Sequence, residues 1–461
     1  MSAAPLLRVP PQWILALAFC LVSCRPAPPA CEPVTEEPAV NEPGRKDGRK
    51  VLLMHYMPWY KTPAVRGQWG SHWKGHKSEH NPDAVGADGL PDIYSRYHPL
   101  IGLYDSTDPA AIECHLLQMK LAGIDGVIVD WYGISDTADY PQMHDAARAM
   151  FGAAGRFGMK FAACFEDRSL ELMVNMDKFP PEQMPEQLRK TVKWMEAEWF
   201  TKPQYLRIGN RPLLLDFGPM YVKDAKVWDS ALDAASDRPA FYALHHLWKN
   251  AGGDGGFTWV HWEPWNGYPD EAKIKRRLNA TFSEMTVTPE KLIVSATPGF
   301  NDVYEQRHRE LDHRDGQTLK EALAVCMEGP WPVIQLVTWN DYGEGTMIEP
   351  THEFGYKFLE VIQEARRQEL GDSFKFTPDD LRLPARLYKL RKSGAGPAAD
   401  LDQIARLLNK GHCDEARKEL DKLDGGASQQ PRAQTFSVPW SSPLRASSCR
   451  RISWQRLSSR G

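Results

Sequence analysis

The segment Thr338-Trp339-Asn340-Asp341-Tyr342-Gly343-Glu344-Gly345-Thr346 carries two carboxylates three positions apart on a glycine-rich turn. Side chains so spaced can face one cavity. A carboxylic acid beside a carboxylate is the equipment for cleaving a glycosidic bond, one protonating the leaving oxygen and the other acting as base or nucleophile. Loop Asp and Glu residues are more often solvated or capping groups. Here the aromatic and glycine surroundings, directly after an apolar run, favour chemistry. Asp341 and Glu344 are the candidate catalytic pair.

Other polar and aromatic residues fall at the ends of apolar runs. Asp130-Trp131-Tyr132 closes one, where Asp130 could contact sugar and the rings could form a subsite wall or core. Glu166 closes another, as a sugar ligand or as the partner of a barrel-top Arg. His55 and Tyr56 end the first run with Trp59 just beyond it, and His261 and Trp262 end a later one, with sixteen Trp in all available as flat platforms for sugar faces. Asp216 ends a further run and reads as structural. His72, His76 and His80 have a spacing that on a helix could ligate a transition metal. Gly75 interrupts that stretch and no carboxylate or Cys completes the set, so neither a metal nor a cofactor is expected, and His72 reads better as a sugar contact.

These residues need elements to position them. Eight short apolar runs read as strands: Val51–Tyr56, Ile124–Trp131, Lys160–Glu166, Pro212–Phe217, Pro239–Leu244, Phe257–Trp262, Lys291–Ala296 and Pro332–Thr338. Helical periodicity falls between most of them, at Pro109–Leu121, Gln142–Phe157, Pro185–Phe200, Asp270–Leu278, Thr318–Met327 and Gly355–Gln368. Asp108 is placed as an N-cap and Pro109 at the first helical position. Near-continuous apolar strands alternating with helices imply a parallel sheet covered on both faces. Eight such units favour a closed (β/α)₈ TIM barrel, whose catalytic groups sit at the strand C-terminal ends. Residues 57–107 form one very long loop, a length usually tied to function.

The predicted barrel spans 50–392. A helical hairpin at 393–425 (Asp400–Leu408, Asp414–Leu423) is too small to be a solenoid and reads as a packed appendage. The Ser/Arg-rich tail at 426–461 and the Pro/Glu-rich stretch at 24–49 read as disordered. Residues 1–23 resemble a secretory signal, and Leu21-Val22-Ser23-Cys24 resembles a bacterial lipobox, implying a lipid anchor at Cys24 and a place on the bacterial cell envelope. The other cysteines lack C-x-x-C spacing, and Cys114, Cys164 and Cys326 read as small buried hydrophobes. A net charge of −4 argues against nucleic-acid binding. The expected partner is a polysaccharide or oligosaccharide substrate, and the expected state a monomer.

The motif Trp339-Asn340-Asp341-Tyr342-Gly343-Glu344-Gly345-Thr346 resembles the signature of the glycoside hydrolase family 71/99-like group, whose members include endo-α-mannosidases and endo-α-1,3-glucanases. The resemblance continues through His55-Tyr56-Met57-Pro58-Trp59-Tyr60, Gly67-Gln68-Trp69-Gly70-Ser71-His72-Trp73, the stretch Tyr97 to Ser106, and Ala122 to Gly133. It implies a metal-free hydrolase of α-linked glycans, such as α-mannan or α-glucan, with Glu344 as general acid. It also adds Trp69, His72, Trp73, Trp339, Asn340 and Tyr342 to the substrate-contact candidates. In family 99 the earlier acid is a Glu that takes the sugar 2-hydroxyl proton. Asp341 is one methylene shorter, as in the inverting family 71 enzymes, which implies equally a general base for water. Rival readings are a xylosidase or arabinosidase on the same scaffold, a catalytically inactive surface glycan-binding lipoprotein, and a metal-dependent hydrolase.

Overall fold

A computed structural model describes residues 48–260, 271–285, 288–304 and 310–424. The expected signal, lipobox Cys24, most of the 24–49 stretch, and the tail lie outside the described residues. No described helix is long and apolar enough to cross a membrane.

Eight parallel strands close on themselves: β1 (Val51–Tyr56), β2 (Gly126–Trp131), β3 (Lys160–Phe165), β4 (Arg211–Asp216), β5 (Ala240–Leu244), β6 (Gly255–Phe257), β7 (Leu292–Ala296) and β8 (Val333–Leu336). Each pairs with its neighbours in chain order, β3 with β4 and β8 with β1, so no barrel edge is left open. Both faces of the strands are buried, which explains their continuous apolar runs. Val51, Leu53, Ile128, Ala162, Cys164, Leu213, Leu215, Phe257, Ile293 and Val333 form one cluster in the lumen. The alternate residues, among them Leu52, Met54, Val127, Val129, Leu214 and Ile334, pack outward against the helices.

The structure begins β6 earlier than the sequence pattern did, at a Gly pair of low strand propensity. A Cβ on Gly255 would lie 2.4 Å from the Lys291 carbonyl oxygen and 2.5 Å from the Tyr242 ring, so β6 needs glycine for close approach to its neighbours. Helix Pro109–Leu121 starts as expected, with the Asp108 side chain accepting from the Ala110 N–H. Helices Arg168–Asn175 and Ala225–Leu232 were not foreseen; each is only two turns long. Helices Leu383–Ser393, Ala398–Asn409 and Cys413–Leu423 form the appendage, sealed by Leu401, Ile404, Leu408, Ala416 and Leu420.

The barrel floor is tied by Arg366, whose side chain is fully buried. It donates to Gly123 O at 2.6 Å and Lys50 O at 3.0 Å, and pairs with Glu369 and Asp125. Asp125 in turn accepts from Leu52 N–H at 2.8 Å, joining the starts of β1 and β2. Removing one partner of such a pair leaves buried charge uncompensated. Arg366→Ala is therefore expected to cost about 3–5 kcal/mol, read as a lower urea midpoint at unchanged m. A loss below about 1 kcal/mol would mean the floor closes without it.

Candidate active site

Beyond β8 the chain folds back on itself over the barrel mouth. Thr338 N–H donates to Thr346 O at 2.8 Å, Ile348 N–H to Thr338 O at 2.8 Å, and Trp339 N–H to His55 O at 2.6 Å. Within this loop Asp341 Oδ1 accepts the Glu344 N–H at 2.9 Å, and Thr338 Oγ1 accepts the Asp341 N–H at 2.8 Å. The two sequence-predicted acids are thus held on one tight turn, Asp341 buried and Glu344 half-buried. Gly345, at φ +66°, allows the chain to reverse there.

Two other strand ends add carboxylates to the same mouth. Asp130, on β2, and Glu166, just after β3, interact electrostatically with each other, and respectively with Asp341 and Glu344. Burial, with like charge from its neighbours, pushes Asp341 and Asp130 each up to about 7 and Glu166 well above the usual carboxylate range. A cluster of this kind holds protons at neutral pH, so it can supply both an acid and a base. Nearby, burial and like charge from Asp167, Glu166 and Asp130 drive Asp216 far upward. Asp167 accepts the N–H groups of Met220, Tyr221 and Val222 at 2.7–2.9 Å, an anchoring role.

The predicted aromatic and histidine contacts divide. Trp59 stacks flat on His72, with centroids 4.2 Å apart and planes at 6°. His72 Nδ1 lies 3.4 Å from the Tyr304 hydroxyl, and burial with His76 and Lys61 nearby lowers its pKa to about 3, keeping it neutral. Tyr132 stacks on Tyr140 and hydrogen-bonds Asp130. His55 lies buried at the top of the lumen, its pKa lowered to about 3 by burial. Trp69 is half-buried against the core. His261 and Trp262 lie outside the described residues.

Six other candidates hold the scaffold. Asn340 is fully buried, its Oδ1 accepting Met57 N–H at 2.8 Å and its Nδ2 donating to Met57 O and the Tyr104 hydroxyl. Tyr342 and Tyr104 donate to Glu349 Oε2 at 2.9 and 2.8 Å, and His115 Nε2 lies 3.0 Å from Glu349 Oε1. Tyr56 reaches the same network, its hydroxyl 3.3 Å from His115 Nδ1, and Trp339 packs on the His115 ring. Trp73 donates to Tyr104 O, and Trp131 points outward into Trp194 and Trp199. Residue type placed these six near the site. Strand parity and burial turn Tyr56 and Trp131 toward the helices and the other four into the layer beneath the loop.

The histidine series also takes a different form. Its helix is the single turn Ser71–Lys74, so His80 leaves the expected face and pairs with Asp92 at 2.6 Å. Residues 57–107 are not a loose loop: Tyr94 N–H bonds Trp73 O and Leu100 N–H bonds Pro350 O, clamping the segment onto the β8 loop.

Sequence reasoning missed Tyr304, Asp302 and Gly343. Asn301 N–H donates to Glu344 O at 2.7 Å and Val303 N–H to Gly343 O at 2.9 Å, docking the loop after β7 on the acid turn. This carries the Tyr304 hydroxyl to a hydrogen bond with Asp341. Gly343 makes room: a Cβ there would lie 1.9 Å from Tyr304 Cζ. No spacing signal joins 302–304 to 341–344, though a glycine between two acids hinted at a close approach. Gly343→Ala is expected to displace Tyr304 and cut activity about 10–100-fold, the worth of a hydrogen bond to a charged group. Tyr304→Phe should match it in kcat/KM. Wild-type rates in Gly343→Ala would remove Tyr304 from the site.

A profile described as Glycosyl hydrolase family 99 matches residues 49–240, from β1 through the start of β5. The chain is 29% identical over 330 residues to a glycoprotein endo-alpha-1,2-mannosidase of Xenopus laevis, covering 65% of this chain and 69% of that one. It is 23% identical over 329 residues to the protein of the same name from Mus musculus, covering 65% and 67%. The solved structure of a family 99 endo-alpha-mannosidase from Bacteroides thetaiotaomicron superposes with a TM-score of 0.52 at 20% identity, covering 69% of this chain and 97% of that chain, and shares the fold. A closed barrel, acids at its C-terminal mouth and these matches agree: the chain is similar to glycoside hydrolase family 99 over residues 49–240 and shares the fold of a solved member.

Proposed function

We propose that this protein is a glycosidase that cleaves α-linked mannose-type glycans, with Glu344 as general acid and Asp341 as general base. The observation that carries this reading is the acid turn itself. Asp341 and Glu344 stand on one loop at the end of β8, surrounded by Asp130 and Glu166 from two further strand ends. The mannosidase relatives support the mannose-type substrate. Glu344 would donate a proton to the departing glycosidic oxygen. Asp341, raised toward neutrality by burial, would take a proton from water or from the neighbouring sugar hydroxyl. The Trp59–His72 stack supports a flat apolar wall for a sugar ring.

The test is turnover of α-mannans, α-glucans and arabinoxylans by the full chain. Cleavage of α-mannan with release of mannose-type oligosaccharides supports the reading. Cleavage of arabinoxylan alone would replace the substrate, and binding without cleavage of any polymer would replace catalysis by glycan capture. We further place the protein on the bacterial envelope as a lipid-anchored monomer, a reading supported by the Leu21-Val22-Ser23-Cys24 motif. Cys24→Ser should then move it from the membrane to the soluble fraction.

A further inference from the structure

The top of the barrel lumen holds His55 and Cys164, to which glycoside cleavage by the acid turn gives no role, beside Asp130 of the carboxylate cluster. His55 on β1, Asp130 on β2 and Cys164 on β3 each point one candidate ligand atom inward, and these atoms lie within 4.8 Å of one another. All three residues are buried, and Asp130 and Cys164 are paired neighbours in the β2–β3 register. The lumen layer beneath them is apolar, formed by Leu53, Ile128 and Ala162. The His55 Nε2 has no hydrogen-bond partner among the described residues, although it is fully buried. A nitrogen in that position ordinarily has one.

The bonds behind His55 settle which of its nitrogens carries the proton. Gln335 donates its amide N–H to the Thr258 carbonyl oxygen, which turns Gln335 Oε1 toward His55. His55 Nδ1 lies 3.5 Å from that oxygen, so Nδ1 carries the hydrogen and the unpartnered Nε2 keeps its lone pair. An imidazole oriented by an amide oxygen on its far nitrogen is the usual arrangement of a metal-ligating histidine.

We propose that His55, Asp130 and Cys164 form a zinc-class transition-metal site at the floor of the carboxylate mouth. One nitrogen, one oxygen and one sulfur suit Zn²⁺ by ligand type, and three protein ligands leave a fourth position for an exogenous oxygen. Bonds of about 2.0–2.3 Å in a tetrahedron bring ligand atoms to within roughly 3.3–3.6 Å of one another, so the trio closes by about an ångström on binding. Asp130 binds as a carboxylate, so the proton it carries and that of the Cys164 thiol both pass to solvent as the oxygen–metal and sulfur–metal bonds form. The ligands come from three strands far apart in sequence, so no short motif announces them.

The experiment reads metal, not turnover, and is therefore independent of the glycosidase reading. The full chain is stripped with a chelator, equilibrated with Zn²⁺, desalted and assayed for bound metal. The same is done with Co²⁺, whose thiolate complexes show a charge-transfer band. Stoichiometric Zn²⁺ and a Co²⁺–thiolate band in wild type, both lost in Cys164→Ser and His55→Ala and kept in His80→Ala, are expected. Gln335→Met, which keeps all three ligands, should weaken Zn²⁺ binding about 10–100-fold. Wild type that retains no Zn²⁺ and gives no cobalt band would overturn the proposal, leaving a buried thiol, carboxylate and imidazole that hold no metal. The wild-type result stands even where a ligand variant fails to fold.

Discussion

Glu344→Gln is expected to lower kcat on unactivated α-linked glycans by about 10³-fold, within the range that a positioned proton donor contributes. The substitution removes the proton and little else. The Glu344 N–H still reaches Asp341 Oδ1, and its carbonyl still accepts from Asn301 N–H, because both bonds are made by the main chain. Substrate binding should therefore survive, with KM or a measured Kd close to that of wild type. A substrate with an acidic aryl leaving group needs little protonation as its bond breaks, so it should recover most of the lost rate. Equal losses on activated and unactivated substrates would assign Glu344 to binding or structure. Wild-type rates on both would exclude it as the acid.

Asp341→Asn is expected to cost a comparable factor, with a distinct pH signature. A base must be deprotonated to act, and burial with like charge holds Asp341 at about 7. The acidic limb of wild-type kcat/KM should accordingly rise through about pH 7 instead of the usual carboxylate range. The groups facing Asp341 are Glu344 on its own turn, Asp302 and Tyr304 on the loop after β7, Asp130 on β2 and Tyr60 beyond β1. Removing like charge favours the ionised form, so Asp302→Asn should shift the limb toward lower pH while leaving the maximal rate near wild type. Asparagine at 341 can still accept the Glu344 N–H, which keeps the turn and isolates the loss of the base. A limb that stays in place in Asp302→Asn, or an Asp341→Asn variant that turns over normally, would remove Asp341 from that role.

Much of this architecture could be read from one dimension. Strands buried on both faces have no polar face to interrupt them, so their apolar runs stand out; β1 was located to the residue. The Asp341–Glu344 pair was equally visible, because a turn joins both acids within one short segment. Reading failed where the cause was a close approach between distant segments. The apolar pattern began the sixth strand at Phe257, whereas β6 starts at Gly255, where the Lys291 carbonyl leaves no room for a side chain. Trp131 and Tyr342 looked like sugar platforms, yet each is fully buried.

The sequence by itself determined the repeated strand–helix order, the place of the acid turn after the eighth strand, and the kinship carried by its motif. Those properties depend on local pattern and order along the chain. Tertiary structure alone decided that Asp130 and Glu166 share the acids' environment, that Tyr304 reaches Asp341, and that His55, Asp130 and Cys164 converge in the lumen. Closing the barrel brings strand ends from distant parts of the chain around one small mouth. Charge repulsion and desolvation act through space at those separations, and no spacing along the chain encodes them.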